Sequence, residues 1–166
     1  MRPGSVGSAA ERIGRIAIFQ DLAGDRSRLE KVAARLETRR HRAGTEIIRE
    51  GDEGDALFVL NSGKVRILRS TMSKERFALV NLSAEDDVFF GEIALVDSDR
   101  RSATVLALTD CETLALTRKS YLALCEEDPY IGFKITFRIA CRLASSLRKS
   151  NADALTLYQA LLEEIS

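Results

Sequence analysis

From Gly44 onward, apolar and polar positions alternate with a period of two and glycines arrive at turn spacings. The stretch TEIIREGDEGDALFVLNSGKVRILRS reads as three short strands joined by GDEGD and NSG. ERFALVNL, SATVLAL and CETLALT add three more. Six or more short antiparallel strands with tight turns predict a sandwich or jelly-roll barrel. On both sides the period becomes helical. IAIFQDLAGD reads as a short helix and a turn, and a helix follows Asp25 with Leu29, Val32, Ala33 and Leu36 on one stripe. After Arg118, RKSYLALCEED predicts a helix that stops near Pro129, and YIGFKITFRIACRLASSLRKS predicts a longer one. NADALTLYQALLEEI either continues that helix or forms a last short one.

In the long helix, Ile131, Ile135, Ile139, Leu143 and Leu147 recur every four residues, and Phe133, Phe137 and Ala140 widen the apolar face. That is more apolar surface than a helix lying on one barrel needs, so a homodimer through this helix is expected. The alternative is a helix buried wholly within its own domain. The fold class is therefore α+β: an antiparallel jelly-roll β-barrel flanked by N-terminal helices and a long C-terminal helix. Its expected divisions are a disordered leader over 1–11, N-terminal helices over 12–43, the barrel over 44–117, and C-terminal lid and dimerisation helices over 118–166.

Composition narrows the classes. With 25 basic and 25 acidic residues, no global charge excess argues for nucleic acid or an anionic membrane as partner. No apolar run approaches the roughly 18 residues of a transmembrane helix. The start, MRPGSVGSAAERIGR, lacks the apolar core of a secretory signal. Cys111, Cys125 and Cys141 are an odd, widely spaced set that fits neither a disulfide framework nor metal ligation, so a cytoplasmic location is expected. His41, the single histidine, falls in ETRRHRAG and reads as an exposed turn residue. One histidine cannot supply a metal-dependent hydrolase, and no nucleophile and base stand together. A binding protein is expected rather than an enzyme.

The densest candidate chemistry lies in FGEIALVDSDRRSATV, residues 90–105. A glycine opening a short helical turn bares backbone N–H groups, which form an anion cradle. Ala103, Val105 and Ala107 alternate onto one face of the next strand, and Arg101 begins the same inward row. An inward guanidinium is costly unless an anion meets it. Glu92 could be that anion, but a cradle and an inward arginine together suit a phosphate. Arg100 is out of phase with the inward row and reads as solvent-facing. Gly51, Gly54 and Gly63 read as turn glycines.

The order of a helix, EGDEGDALFVLNSGKV, FFGEIALVDSDRRSATV and a closing helix resembles the cyclic-nucleotide-binding domain family, from about Ile18 to Leu147. The resemblance makes residues 90–105 a phosphate-binding cassette. It implies that Glu92 accepts a hydrogen bond from the ribose 2′-hydroxyl, an acceptor-only group meeting a donor. It implies that Arg101 pairs with the exocyclic phosphate oxygens, where a forked donor is favoured. Gly91 lets the backbone approach the sugar-phosphate, and the amides near Ile93 and Ala94 add donors. Ser102 offers a hydroxyl and an amide, and Ala103 packs beside them. In the closing helix, Ser146 falls where a family member has a threonine that contacts the base, and Arg142 is a second candidate there. The implied ligand is cAMP, with cGMP open and no metal.

One departure concerns SAEDDVFFGE, where Asp86 and Asp87 stand in a turn that carries glycine in many members. Their charge near an anion site would weaken binding. The chain runs about twenty residues past Ser146, too few for a helix-turn-helix domain. No nucleic acid or membrane partner is expected, and the signal would pass to a separate effector protein. The alternatives are a cGMP-selective receptor, or a ligand-free scaffold that keeps the barrel for dimerisation.

Overall fold

The structure, a computed structural model, describes residues 5–165. Helices α1 (Ser5–Arg15) and α2 (Arg26–Ala33) flank a 3-10 turn at Gln20–Leu22. Eight strands follow: β1 (Glu37–His41), β2 (Glu46–Ile48), β3 (Ala56–Ser62), β4 (Lys64–Ser70), β5 (Arg76–Ser83), β6 (Phe89–Phe90), β7 (Thr104–Ala107) and β8 (Cys111–Thr117). The one-turn helix α3 (Ile93–Val96) separates β6 from β7, and α4 (Arg118–Glu127) and α5 (Pro129–Ile165) close the chain.

The strands form two four-stranded sheets, ordered β1-β8-β3-β6 and β2-β7-β4-β5, with all pairings antiparallel. Strand β3 shows why they stack. Ala56, Phe58 and Leu60 join Ile48, Val65, Val105 and Ala107 of the other sheet in a core between the two. Leu57 and Val59, on the opposite face, join a second core with Leu116 and the helices. One sheet is thus covered on both faces, and β3 reads as an unbroken apolar run. This is the expected α+β jelly-roll class, with helices at both ends of the chain.

The structure differs from the expected divisions at two places. Residues 5–11 belong to α1 rather than to a disordered leader, while residues 1–4 lie outside the described residues. Ala10 and Ile13, three apart on the helix, are buried. Arg12 reaches into the barrel end, where Nη2 donates to the carbonyls of Leu60 (3.1 Å) and Ala84 (2.5 Å). These anchors lie far away in the chain, so local composition did not show them. Strand pairing also begins before residue 44, since β1 runs along β8 from Glu37↔Ala115 to His41↔Cys111. Its charges hid it: ETRRH is an edge strand whose Arg40 is exposed and whose Arg39 is half-buried over the Phe58 ring. His41 is consequently half-buried, with Nε2 3.0 Å from Thr113 Oγ1. Burial, then the charge of Arg39, pushes its pKa below the usual histidine value.

Side-chain caps start the inner helices. Asp25 accepts from the Arg28 amide (3.1 Å) at α2, and Thr117 from the Ser120 amide (3.2 Å) at α4. Helix α5 is a single helix of 37 residues, about 55 Å long at 1.5 Å per residue, so the last segment continues it. Ile131, Ile135 and Ile139 lie fully within the helical core. From Ala144 to Glu164 every residue is exposed. Among the described residues no helix is long and apolar enough to cross a membrane.

Candidate functional site

Strand β6 delivers the chain to Gly91, whose φ of +78° is open to glycine at little cost. A Cβ there would stand 2.8 Å from Arg101 Nη1 and 3.1 Å from the Ala56 carbonyl oxygen, so the position also needs the space. The turn of α3 that follows places Glu92 at its start, with the side chain facing inward and nearly buried.

Arg101 comes in from the other side. Its Nη1 donates to Gly91 O (3.1 Å) and its Nη2 to Ala56 O (2.8 Å). Its backbone pairs with the β2–β3 loop: the Arg101 amide donates to Asp52 O (2.8 Å), and the Gly51 amide to Arg101 O (2.9 Å). That loop pairing, rather than a strand row, turns the guanidinium inward, because β7 begins only at Thr104. Thr104, out of phase with the row of Ala103 and Val105, is buried as well and accepts from the Glu50 amide at 3.0 Å. Burial pushes the Arg101 pKa below the ordinary arginine value, against the favourable charges of Asp55 and Glu92.

Gly54 proves to be more than a turn residue. A Cβ on it would lie 1.8 Å from Arg101 Nε, so its bare backbone is the floor on which the guanidinium rests. A glycine's neighbour across the fold leaves no sequence signal beyond the glycine itself. Arg100 donates from Nη1 to Gly51 O (3.0 Å) at the surface, away from the inward pair.

The C-terminal helix supplies the third charged group. Arg142 Nε stands 2.8 Å from Glu92 Oε1, and its guanidinium carbon lies 4.4 Å above the centre of the Phe89 ring. Between these groups lies a cavity of about 290 Å³. Gly91, Glu92, Arg101, Ser102, Ala103 and Arg142 form its polar rim, and Ile48, Ile67, Leu82 and Val105 form its apolar wall. Its size is at the lower end of ligand pockets, which run from about 300 Å³ upward. Four larger surface grooves, of about 350 to 450 Å³, lie elsewhere and contain neither Glu92 nor Arg101.

Six of the nine expected site residues therefore line one cavity. Ile93, Ala94 and Ser146 do not. The Ala94 amide donates to Gly91 O at 3.3 Å, closing the turn rather than facing the cavity. Ile93 is exposed, and Ser146 sits exposed on α5 one turn beyond Arg142. Asp86 and Asp87 leave the cavity unburdened: Asp86 is exposed, and Asp87 takes a left-handed φ of 51°. Its carboxylate faces Arg12 (2.8 Å) and Arg15 (3.4 Å) of α1, so its charge is paired on the far side.

Two arginines and one carboxylate leave the rim with a net charge of one positive unit, suited to a small monoanion. The carboxylate and the apolar wall add acceptor capacity and a dry surface for the rest of such a ligand. Among the described residues no three His, Cys, Asp or Glu side chains are grouped to hold a metal ion. Fold and cavity together define a domain of the jelly-roll type with a small cavity of net positive rim. More particularly, the chain belongs to the cyclic nucleotide-binding domain family, whose profile matches residues 38–128, more than half of its length.

The cyclic AMP receptor protein of Thermus thermophilus is 38% identical over 100 residues, covering 60% of this chain and 45% of that protein. The cGMP-dependent protein kinase isozyme 1 of Drosophila melanogaster is 40% identical over 99 residues, covering 58% of this chain and 13% of the kinase. Among solved structures, the Thermus thermophilus catabolite activator protein superposes with a TM-score of 0.74 at 32% identity, covering 85% of this chain and 62% of that one. The matches thus span less than half the length of these curated relatives.

Proposed function

We propose that this chain is a cyclic-nucleotide receptor module, cAMP being the leading ligand, that binds rather than transforms the nucleotide and signals through α4 and α5 to a separate effector. The observation that carries the reading is the convergence of buried Glu92 and inward Arg101 on one cavity with Gly91 between them. In this reading the cyclic phosphate lies against Arg101 and Ser102, and the ribose hydroxyl donates to Glu92. Arg142 occupies Oε1 of that carboxylate. An ionised carboxylate has about four lone-pair sites, so a hydroxyl and Arg142 can share it. Sharing ties ligand occupancy to α5: nucleotide binds more tightly when the helix is closed over the cassette, and only such a difference shifts a population. The base would lie toward α5, with Ser146 within reach only after the helix moves. Relatives that carry cyclic AMP and cyclic GMP in their names leave cGMP as the alternative ligand.

A second reading, a ligand-free scaffold, draws on one observation. Arg101 is already bonded to two carbonyls and Glu92 to Arg142, so neither group is left without a partner. Calorimetric titration of nucleotide-free protein with cAMP, and separately cGMP, decides between them. Binding is expected for one nucleotide, and Arg101→Ala should weaken it by about 2 kcal/mol or more, roughly thirtyfold. Equal affinity in a folded Arg101→Ala variant sinks the site assignment. Absence of heat from both nucleotides with the native chain makes it a scaffold.

A further inference from the structure

Strand β6 is two phenylalanines long, and a strand sends successive side chains to opposite faces. Its pairing with β3, Phe58↔Phe90 and Val59↔Phe89, fixes which goes where. Phe90 enters the core between the sheets and stacks on Phe58, with ring centres 5.6 Å apart. Phe89 enters the helical core with Leu95 and Ile139 and is itself buried. Each face of β6 thus sets an aromatic ring beneath one of the two cavity arginines. The Arg101 guanidinium carbon is 5.9 Å from the centre of the Phe58 ring, and that of Arg142 is 4.4 Å from the centre of Phe89.

The two arginines differ in what else holds them. Arg101 donates to two backbone carbonyls and rests on Gly54, so its place is set without a ring. Its 5.9 Å also stands at the outer limit, about 6 Å, of a cation–ring contact. Arg142 reaches the cavity from the solvent side. Its side chain is 48% exposed, and among the described residues its polar partner is the Glu92 carboxylate, at 2.8 Å. An ion pair on a long, half-exposed side chain is screened by water and costs rotamer freedom, so by itself it leaves the guanidinium free to swing away. The ring supplies a second point of attachment. Its electron-rich face attracts the cation, and burial in the helical core keeps that face from turning aside. A carboxylate oxygen and a ring face together define both the place and the plane of a flat guanidinium. A leucine would fill much of the same core volume and offer no such face.

We infer that Phe89 is a positioning residue: its ring face holds the Arg142 guanidinium on one oxygen of Glu92, and so sets the charge and the acceptor geometry that a nucleotide meets. The inference rests on reading the cavity as a cyclic-nucleotide site. It deepens that reading by showing how a half-exposed arginine on α5 becomes a fixed part of the rim. With the ring in place, Arg142 keeps the rim net positive and leaves the other Glu92 oxygen to the ribose hydroxyl. Without it, Arg142 turns to water, Glu92 faces the phosphate less compensated, and binding must first order the side chain again.

The test uses the full chain with mono-, di- and trifluorinated phenylalanine in place of Phe89 alone. The series keeps the ring close to its native size and drains its face of negative charge step by step. Calorimetric titration with cAMP, and separately cGMP, should show affinity falling along the series, to about threefold below the native chain with the trifluorinated ring. Repeated in an Arg142→Ala background, the same series should have no effect. A loss of equal size in both backgrounds means that the ring acts by packing, and overturns the inference. Unchanged affinity along the series in the native background overturns it too. A second readout needs no nucleotide: the Arg142 Nε–H resonance of the ligand-free chain, assigned by its loss in Arg142→Ala. The current of the ring beneath it should shift that resonance upfield, and Phe89→Leu should return it to the position of exposed arginines. A resonance already at that position in the native chain overturns the ring contact, whatever the nucleotide does. A shifted resonance with no heat from either nucleotide overturns the receptor reading instead, and with it the part given to Phe89 in binding.

Discussion

The two halves of α5 both carry apolar stripes, and these meet opposite fates. Up to Leu143, isoleucines spaced by four lie in the core of their own domain, and Arg142 holds the carboxylate of the cassette. Beyond it, Leu147, Leu155 and Tyr158 stand more than half exposed. Apolar periodicity alone says that a face seeks cover, not which molecule provides it. The phase of each stripe tells the two apart. Steps of four through Ile131, Ile135 and Ile139 lie on the side packed in the domain's core, whereas Phe133, Phe137, Ala140, Ala144 and Leu147 lie exposed on the other side, which runs on after the domain has ended.

The largest effect should come from erasing the proximal stripe. Ile135→Ala removes a fully buried side chain of the helical core, and should cost about 2–5 kcal/mol in urea denaturation. Leu147→Ala should change the same transition by less than about 0.5 kcal/mol in dilute protein. Equal losses in dilute protein would mean that the distal half packs on its own domain, and the contrast would collapse.

A smaller effect tests what the proximal half does beyond packing. With Arg142 present the cavity rim is positive by one unit; Arg142→Ala leaves it without net charge beside any bound phosphate. Nucleotide affinity should fall about tenfold, or 1.4 kcal/mol, by calorimetry. Arg142 is about half exposed, so its ion pair adds little to the stability of the ligand-free chain, by about 1 kcal/mol or less. A melting shift larger than the affinity loss would make Arg142 a structural strut and not part of the receptor.

These contrasts follow what was legible in the sequence. Period-two alternation marked the inner strands, and the glycine, glutamate and arginine of the cassette are residues that the fold does bring to one cavity. Local pattern failed where a distant partner decides the conformation. Residues 5–11 fold because Arg12 finds carbonyls across the barrel, and ETRRH is a strand because β8 lies beside it. Arg101 turns inward through a loop more than forty residues away, and Gly54 matters for the room it leaves. The cradle amide expected at Ala94 was lost to the turn's own closure at Gly91. In each case the residue type was informative and its neighbour was not.

The smallest effect concerns how the proximal half is pinned at its start. Asp128, at the junction of α4 and α5, faces Arg28 (3.1 Å) and Lys31 (3.2 Å) of α2. Burial alone would raise its pKa, but hydrogen bonds from Lys31 and Arg28 outweigh that and hold it below the usual aspartate value. With the folded pKa depressed, the charged form is the one that favours the native state. Its contribution is complete above the unfolded value, about 3.9, and is lost as pH falls through the lower folded value. The melting difference between the native chain and Asp128→Asn should therefore be constant from about pH 7 to 5 and shrink below about pH 4. The offset caused by Leu147→Ala involves no charge at that junction and should not follow it. If the Asp128→Asn offset instead persisted undiminished at about pH 2.5, the carboxylate charge would not be what anchors α5 to α2, and the proximal half would be held by its isoleucines alone.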